Sequence, residues 1–284
     1  MHLQSAYRNF FNKPKTRFPK FKSKKHSKKS YTTSYVLVKD NKLKLGKLGI
    51  VKFKYHREIP EGYKIKSATI EQKASGRFYI SILTEYSCDI PDIELDTNKA
   101  IGLDYSSPHF YVDNQNNEAL QEHYFRKSED KLAKEQRKLS LMKYGSINYY
   151  KQKTVVGRIH EHIENQRKDF IEKKSTELSN NYDIVCVEDI NLQNLSRTLR
   201  FGKATMDNGF GLFRVRLEQK LSILGKRFVK IDKWFPSSKM CRFCGAVNKD
   251  LDLKDREWDC DCGAHLLRDE NAAINILNEG LRIL

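Results

Sequence analysis

The sequence predicts a mixed α/β protein. A layered α/β domain carries a cysteine ribbon inserted before its last helix, and a small antiparallel β domain precedes it. Three observations carry this. From residue 99 onward, short apolar runs alternate with helix-period segments. Two of those runs close on a carboxylate, at Asp104 and at Glu188. Near the C-terminus, Cys241, Cys244, Cys260 and Cys262 are spaced CxxC, fifteen residues, CxC, and Asp269 follows at the start of a last amphipathic segment.

In chain order, residues 1–34 form a basic arm. Lys13, Lys15, Arg17, Lys20, Lys22, Lys24, Lys25, Lys28 and Lys29 alternate with Phe10, Phe11, Phe18 and Phe21. Such interleaving suits nucleic acid, since rings stack on bases while cations meet phosphates. A solvated tail is the alternative, but it has no use for four phenylalanines. Pro14 and Pro19 argue against a regular helix here.

Residues 35–98 read as a small antiparallel sheet or partial β-barrel. Tyr35 to Val38 and Lys42 to Leu45 are β-prone and separated by Asp40-Asn41. Ile65 to Ile70 and Phe78 to Leu83 follow, split by Ser75-Gly76, and an acidic linker from Asp89 to Thr97 marks a domain boundary. The α/β domain spans 99–235. Ala100 to Asp104 and Phe110 to Asp113 are strands. Ser128 to Met142 and Tyr149 to Leu178 form a helical hairpin about Gly145. Ile184 to Val187 is a buried strand that ends at Glu188. Residues 191–209 form a polar loop with Arg197, Arg200 and Lys203, which extend the nucleic-acid-binding set. Phe210 to Leu224 is a helix stopped by Gly225, and Phe228 to Ile231 is a strand. Residues 236–264 are the ribbon, and 265–284 the last helix.

The 284 residues include 53 Lys+Arg against 36 Asp+Glu, a formal charge of +17. A field of that sign selects polyanions. No apolar run is long enough to span a bilayer, and no apolar signal core follows Met1, so a soluble cytoplasmic protein bound to nucleic acid is expected. In that compartment the four clustered cysteines are better explained by one structural Zn²⁺ than by disulfides. Cys186, inside an apolar run, reads as a buried thiol. Asp104, Glu188 and Asp269 could share two Mg²⁺, a hard cation that prefers oxygen ligands. Taken singly, each acid has a plainer reading: a turn former or helix cap for Asp104, a solvated strand end for Glu188, a helix-dipole partner for Asp269.

Taken in order, these motifs resemble those of TnpB, the RNA-guided nuclease family of insertion sequences, also called OrfB and related to compact type V CRISPR effectors. Ile101-Gly102-Leu103-Asp104 looks like the first RuvC motif. Val187-Glu188-Asp189-Ile190-Asn191 looks like the second, and Arg268-Asp269-Glu270-Asn271-Ala272-Ala273 like the third. Residues 131–140 and 160–170 look like bridging helices, and Trp234 to Lys239 leads into the ribbon. The resemblance covers roughly residues 99–284. It implies an RNase H-like RuvC nuclease domain with an inserted zinc ribbon behind a wedge-like β domain. It implies a prokaryotic, nucleoid-associated endonuclease that takes a guide RNA from the transposon end to a double-stranded DNA target and leaves 5′-phosphate and 3′-hydroxyl ends. Asp104 is expected to bridge both Mg²⁺ ions, with Glu188 and Asp269 each completing one.

Three departures stand out. Residues 3–22 are similar to a segment that lies well inside a TnpB chain, so the first wedge strand and the helical recognition region are expected to be missing ahead of it. Leu267-Arg268-Asp269 replaces the family's DRD, leaving Asp269 to serve alone. Tyr105-Ser106-Ser107 replaces the usual Leu-Gly pair. Two other readings stay open. One is a non-cleaving RNA- or DNA-binding regulator or remnant. The other is a DDE-type transposase, which does not explain the ribbon.

Overall fold

The computed structural model describes residues 2–13, 16–20, 29–39, 41–106, 109–120, 123–190, 209–252 and 254–284. Lys15, Lys22, Lys24, Lys25, Lys28, Arg197, Arg200 and Lys203, all expected to meet nucleic acid, lie outside the described residues. The chain divides into two compact units, Met1–Ser87 and Cys88–Leu284. The division precedes the boundary expected at 98/99 because the acidic linker packs on the second unit. There, Leu95 joins an apolar cluster with Ile184, and the Asp96 backbone N–H donates to Asp183.

The first unit opens with a helix that the prolines were expected to preclude, α1 (His2–Asn12). It stops before Pro14, so proline limits its extent and not its formation. Tyr7, Phe10, Phe11 and Phe18 pack ring on ring, with the Tyr7–Phe18 and Phe10–Phe18 centroids 5.7 and 5.4 Å apart. These rings are therefore partly spent on one another. Lys13, Arg17, Lys20 and Lys29 are exposed. The end of the expected arm is strand: β1 (Ser30–Thr33) pairs with a later strand of the unit. β2 (Val36–Lys39), β3 (Lys42–Leu45) and β4 (Gly49–Lys52) form one antiparallel sheet. β5 (Lys64–Gln72) and β6 (Phe78–Glu85) complete a second with β1. Leu43, Leu45 and Ala68 are the buried centre that the two three-stranded sheets share.

The second unit is built on a four-stranded sheet. β7 (Ala100–Tyr105) pairs antiparallel with β8 (Tyr111–Asp113). A hairpin of α2 (Tyr124–Ser140) and α3 (Ile147–Asn181) follows, with Ser146 capping α3 by accepting from the Tyr149 N–H. β9 (Ile184–Glu188), α4 (Phe210–Ile223) and β10 (Arg227–Ile231) come next. Then come the ribbon strands β11 (Glu257–Asp259) and β12 (His265–Leu267), and the last helix α5 (Arg268–Arg282). The strand order is β10-β9-β7-β8, with β10, β9 and β7 mutually parallel.

Strand alternation sorts the core into two layers. Ile101, Leu103, Val185 and Val187 face one side, packed against Ile171, Leu178, Phe213 and Leu217 of α3 and α4. Ala100, Ile184, Cys186 and Ile231 face the other, against Ile276 and Leu277 of α5. A parallel sheet covered on both faces needs apolar runs without polar breaks, which is what residues 100–103 and 184–187 supply. Among the described residues, no helix is long and apolar enough to cross a membrane.

Candidate metal centres

The same alternation places the acids. Along β7, Asp104 follows Ala100 and Gly102 on the α5 face. Along β9, Glu188 follows Ile184 and Cys186 on that face. Gly102 pairs with Cys186 and Leu103 with Val187. Continuing that register by one residue sets Asp104 beside Glu188, on neighbouring strands whose backbones run about 4.8 Å apart.

Gly102 lets the third acid approach. α5 lies so close to β7 that a Cβ at Gly102 would collide with the Ala273 carbonyl oxygen and sit 2.8 Å from the Leu277 nitrogen. Ala273 lies one helical turn beyond Asp269, and Asp104 lies one strand repeat beyond Gly102. The close crossing thus carries the helix start toward the strand end. On α5, Gly280 meets Cys186 in the same way.

Asp104 feels the other two acids. Burial raises the Asp104 carboxyl well above the usual carboxylate range, and the charges of Asp269 and Glu188 add to it; Arg268 opposes them. Burial raises Glu188 to about 7, against the hydrogen bond from the Ser237 hydroxyl at 3.4 Å. Asp269 is held by two arginines, Arg268 at 2.9 Å and Arg256 of the ribbon at 3.3 Å. Among the described residues only the four cysteines have all their ligand atoms within 4.8 Å of one another. The acids are gathered at one edge but not closed around a point. Arg256 and Asp269 also line a cleft of about 390 Å³, with Val112 and Glu118 among its other walls.

Buried Asp104 and half-buried Glu188 are both pushed upward, and neither has an ion-pair partner among the described residues, which suits a divalent cation with oxygen ligands. The consequence for stability has a definite sign. Without Mg²⁺ the folded chain keeps the Glu188 proton between its ordinary 4.5 and about 7, where the unfolded chain has lost it. Stability from this group is therefore full below the lower value and falls as pH rises through the window. Urea midpoints of the zinc-loaded protein from about pH 5 to about pH 7.5 should show this fall, and millimolar Mg²⁺ should offset it. Glu188→Gln should flatten the fall; an unchanged slope in that variant contradicts the assignment.

The ribbon cysteines are arranged more tightly. Cys241 and Cys262 Sγ are 3.7 Å apart and Cys244 and Cys260 Sγ 3.5 Å, close to the edge of about 3.8 Å expected for thiolates at 2.3 Å around tetrahedral zinc. Each knuckle turns on a glycine with positive φ, Gly245 at 76° and Gly263 at 87°. The Gly245 N–H donates to the Cys241 carbonyl and the Gly263 N–H to the Cys260 carbonyl. The thiols share their protons unevenly. Burial raises Cys241, but the Cys244 and Phe243 N–H groups outweigh it and bring it to about 7. The Cys262 N–H lowers Cys260, but burial and the neighbouring thiols carry it up to about 12. A metal would take all four as thiolates. Cys186, pushed to about 12 by burial, is an inert core thiol.

Sequence reasoning did not find the residues that join the ribbon to the last helix. Asn271 donates to the Met240 carbonyl at 2.7 Å and accepts from the Arg242 N–H at 3.1 Å. Asn275 donates to the Ser237 and Met240 carbonyls. Both are buried, and Arg242 pairs with Glu270 at 2.7 Å. The only sequence signal was two asparagines one turn apart on a helix's apolar side. Arg214 of α4, also missed, donates to the carbonyls of Glu188 and Ile190 and so pins the end of β9. Purified protein should carry about one zinc per chain. Chelation should unfold the ribbon and raise the exposure of α5 to hydrogen exchange, because the clamp passes through Met240. A zinc-free protein with an ordered ribbon would be the contrary result.

A family described as a probable transposase, OrfB_IS605, matches residues 82–199, and one described as a Cas12f1-like TNB domain matches residues 210–276. A Streptomyces pristinaespiralis protein with the provisional name RNA-guided DNA endonuclease is 36% identical over 283 residues, which is 99% of this chain and 69% of its own length. TnpB-like protein L79 of Acanthamoeba polyphaga mimivirus is 32% identical over 132 residues, 44% of this chain and 25% of its own. A cryo-EM structure of Cas12f1 with sgRNA and target DNA aligns at a TM-score of 0.51 and 19% identity. That alignment takes in 76% of this chain and 46% of the Cas12f1 chain, and it shows likeness of fold alone.

Proposed function

The chain belongs to the TnpB (OrfB) family, and from that membership we propose that it is an RNA-guided DNA endonuclease with a two-metal site of the RuvC type. The observation that supports this most directly is the gathering of Asp104, Glu188 and Asp269 at one end of the sheet, where the charges of Glu188 and Asp269 both act on Asp104.

Asp104, Glu188 and Asp269 would hold two Mg²⁺, with Asp104 shared between them. Bound there, such ions activate a water and stabilise the leaving oxygen of a phosphodiester. The protein's own groups do the rest. Gly102 sets the helix-to-strand distance, and Ser237 and Arg214 fix Glu188 from its side chain and its backbone. Arg256 and Arg268 neutralise Asp269, and Arg256 offers the cleft a cation for a phosphate oxygen. One zinc on Cys241, Cys244, Cys260 and Cys262 would hold the segment that carries Arg256. The charge of +17 matches two nucleic-acid partners, a guide RNA from the transposon end and a double-stranded DNA target. Lys13, Arg17, Lys20 and Lys29, with the basic residues outside the described set, would contribute phosphate contacts. The setting would be the prokaryotic cytoplasm, on nucleoid DNA.

The experiment is to purify the chain with the RNA it retains, sequence that RNA, and offer plasmids bearing the matching target. Mg²⁺-dependent strand cleavage with 5′-phosphate ends is expected. Tight RNA and target binding with no cleavage in Mg²⁺ or Mn²⁺ would leave the non-cleaving regulator as the correct reading.

A further inference from the structure

We propose that Trp234 is a stacking platform for an unpaired base of the DNA strand led to the acid cluster. The identity of the ligand rests on the nuclease reading; the platform itself rests on the geometry of one turn.

β10 runs parallel to β9 with Ile231 opposite Glu188, so the turn after β10 leaves the sheet at the edge where the acids gather. The residues that follow Trp234 in that turn are anchored. Phe235 packs among Ile184, Cys186 and Ile231 beneath the sheet. Ser237 is buried, touches Glu188 through its hydroxyl, and has its carbonyl held by Asn275. Just ahead of these anchors, the Trp234 backbone N–H donates to the Asp232 carboxylate at 2.7 Å, which fixes the backbone. The indole is nevertheless 81% exposed, and the Lys233 ammonium stands 4.9 Å from its ring centroid.

Packing does not account for an exposed indole on a pinned turn. Stacking does. Indole is large, has few rotamers, and offers a flat face to any base regardless of sequence. Lys233 lies over one face of the ring, so a base would stack on the other, and its ammonium is near enough to meet a phosphate of the same strand. The position, three residues before the Ser237 that touches Glu188, would hold a strand a short distance from the acids.

The chain has two tryptophans, and Trp258 is buried in the ribbon core. In a Trp258→Phe background the remaining indole reports on the platform alone. Without divalent cations, oligothymidylate should quench its fluorescence, and an abasic oligomer of equal length should not. In the otherwise wild-type chain, Trp234→Ala should weaken oligothymidylate binding on the order of tenfold. Trp234→Phe should recover most of that loss, and neither variant should alter abasic binding. Wild-type affinity for oligothymidylate in Trp234→Ala, or equal quenching by the abasic oligomer, overturns the proposal. A chain that quenches on base stacking but never cuts keeps the platform and loses the nuclease reading. A chain that cuts, with affinity indifferent to Trp234, does the reverse.

Discussion

Asp104→Ala should reduce target cleavage by about a thousandfold or more while leaving RNA binding within a few-fold of wild type. The acid lies on an interior strand between the other two acids in influence, since the charges of both Asp269 and Glu188 act on it. Several kcal/mol of transition-state stabilisation depend on metals that its carboxylate would share, and each 1.36 kcal/mol is about tenfold in rate. Asp104→Asn separates chemistry from folding. It keeps the side-chain shape but removes a charge that burial opposes, so without Mg²⁺ it should raise the unfolding midpoint even as it abolishes cleavage. Loss of cleavage accompanied by unfolding would instead mean that Asp104 is a structural residue. Unimpaired cleavage would place the active site elsewhere.

Gly102→Ala should cost about 3 kcal/mol or more, although it adds one methyl group. The new Cβ would meet the α5 backbone at two points, the Ala273 carbonyl and the Leu277 nitrogen, and neither can rotate away. α5 would have to lift off β7. That movement opens the cluster around Ile276 and draws Asp269 away from Asp104. The variant should therefore lose cleavage beyond what its lost stability explains. Thermal unfolding and single-turnover cleavage, compared at a temperature where the variant is fully folded, separate the two effects. Wild-type stability would show that α5 and β7 do not approach this closely.

Much of this was legible in the chain. The apolar runs at 100–103 and 184–187 read as buried strands, each closed by an acid at its end. The CxxC and CxC knuckles, each followed by glycine, announced a closed four-thiolate site that the geometry of the thiols fits. The aromatic arm was read less well. Four phenylalanines between cations looked free to stack on bases, whereas an unforeseen helix sets Tyr7 against Phe11 and Phe18, and Phe10 against the same two rings. Proline marks where a helix must stop and says nothing of what precedes it.

What the sequence by itself determined is local: which residues alternate, which turn, which chelate. Those properties depend on spacing of a few residues, and periods of 2 and 3.6 are written directly in the order of side chains. Only the tertiary structure decided that the charge of Asp269 acts on Asp104 and that Arg256 pairs with Asp269. It alone decided that Asn271 and Asn275 tie the ribbon to the helix carrying the last acid. Those contacts join segments far apart in sequence, and no periodicity connects them. The first of them depends on the depth at which one helix packs on one strand, a close approach that the absence of a Cβ at Gly102 permits.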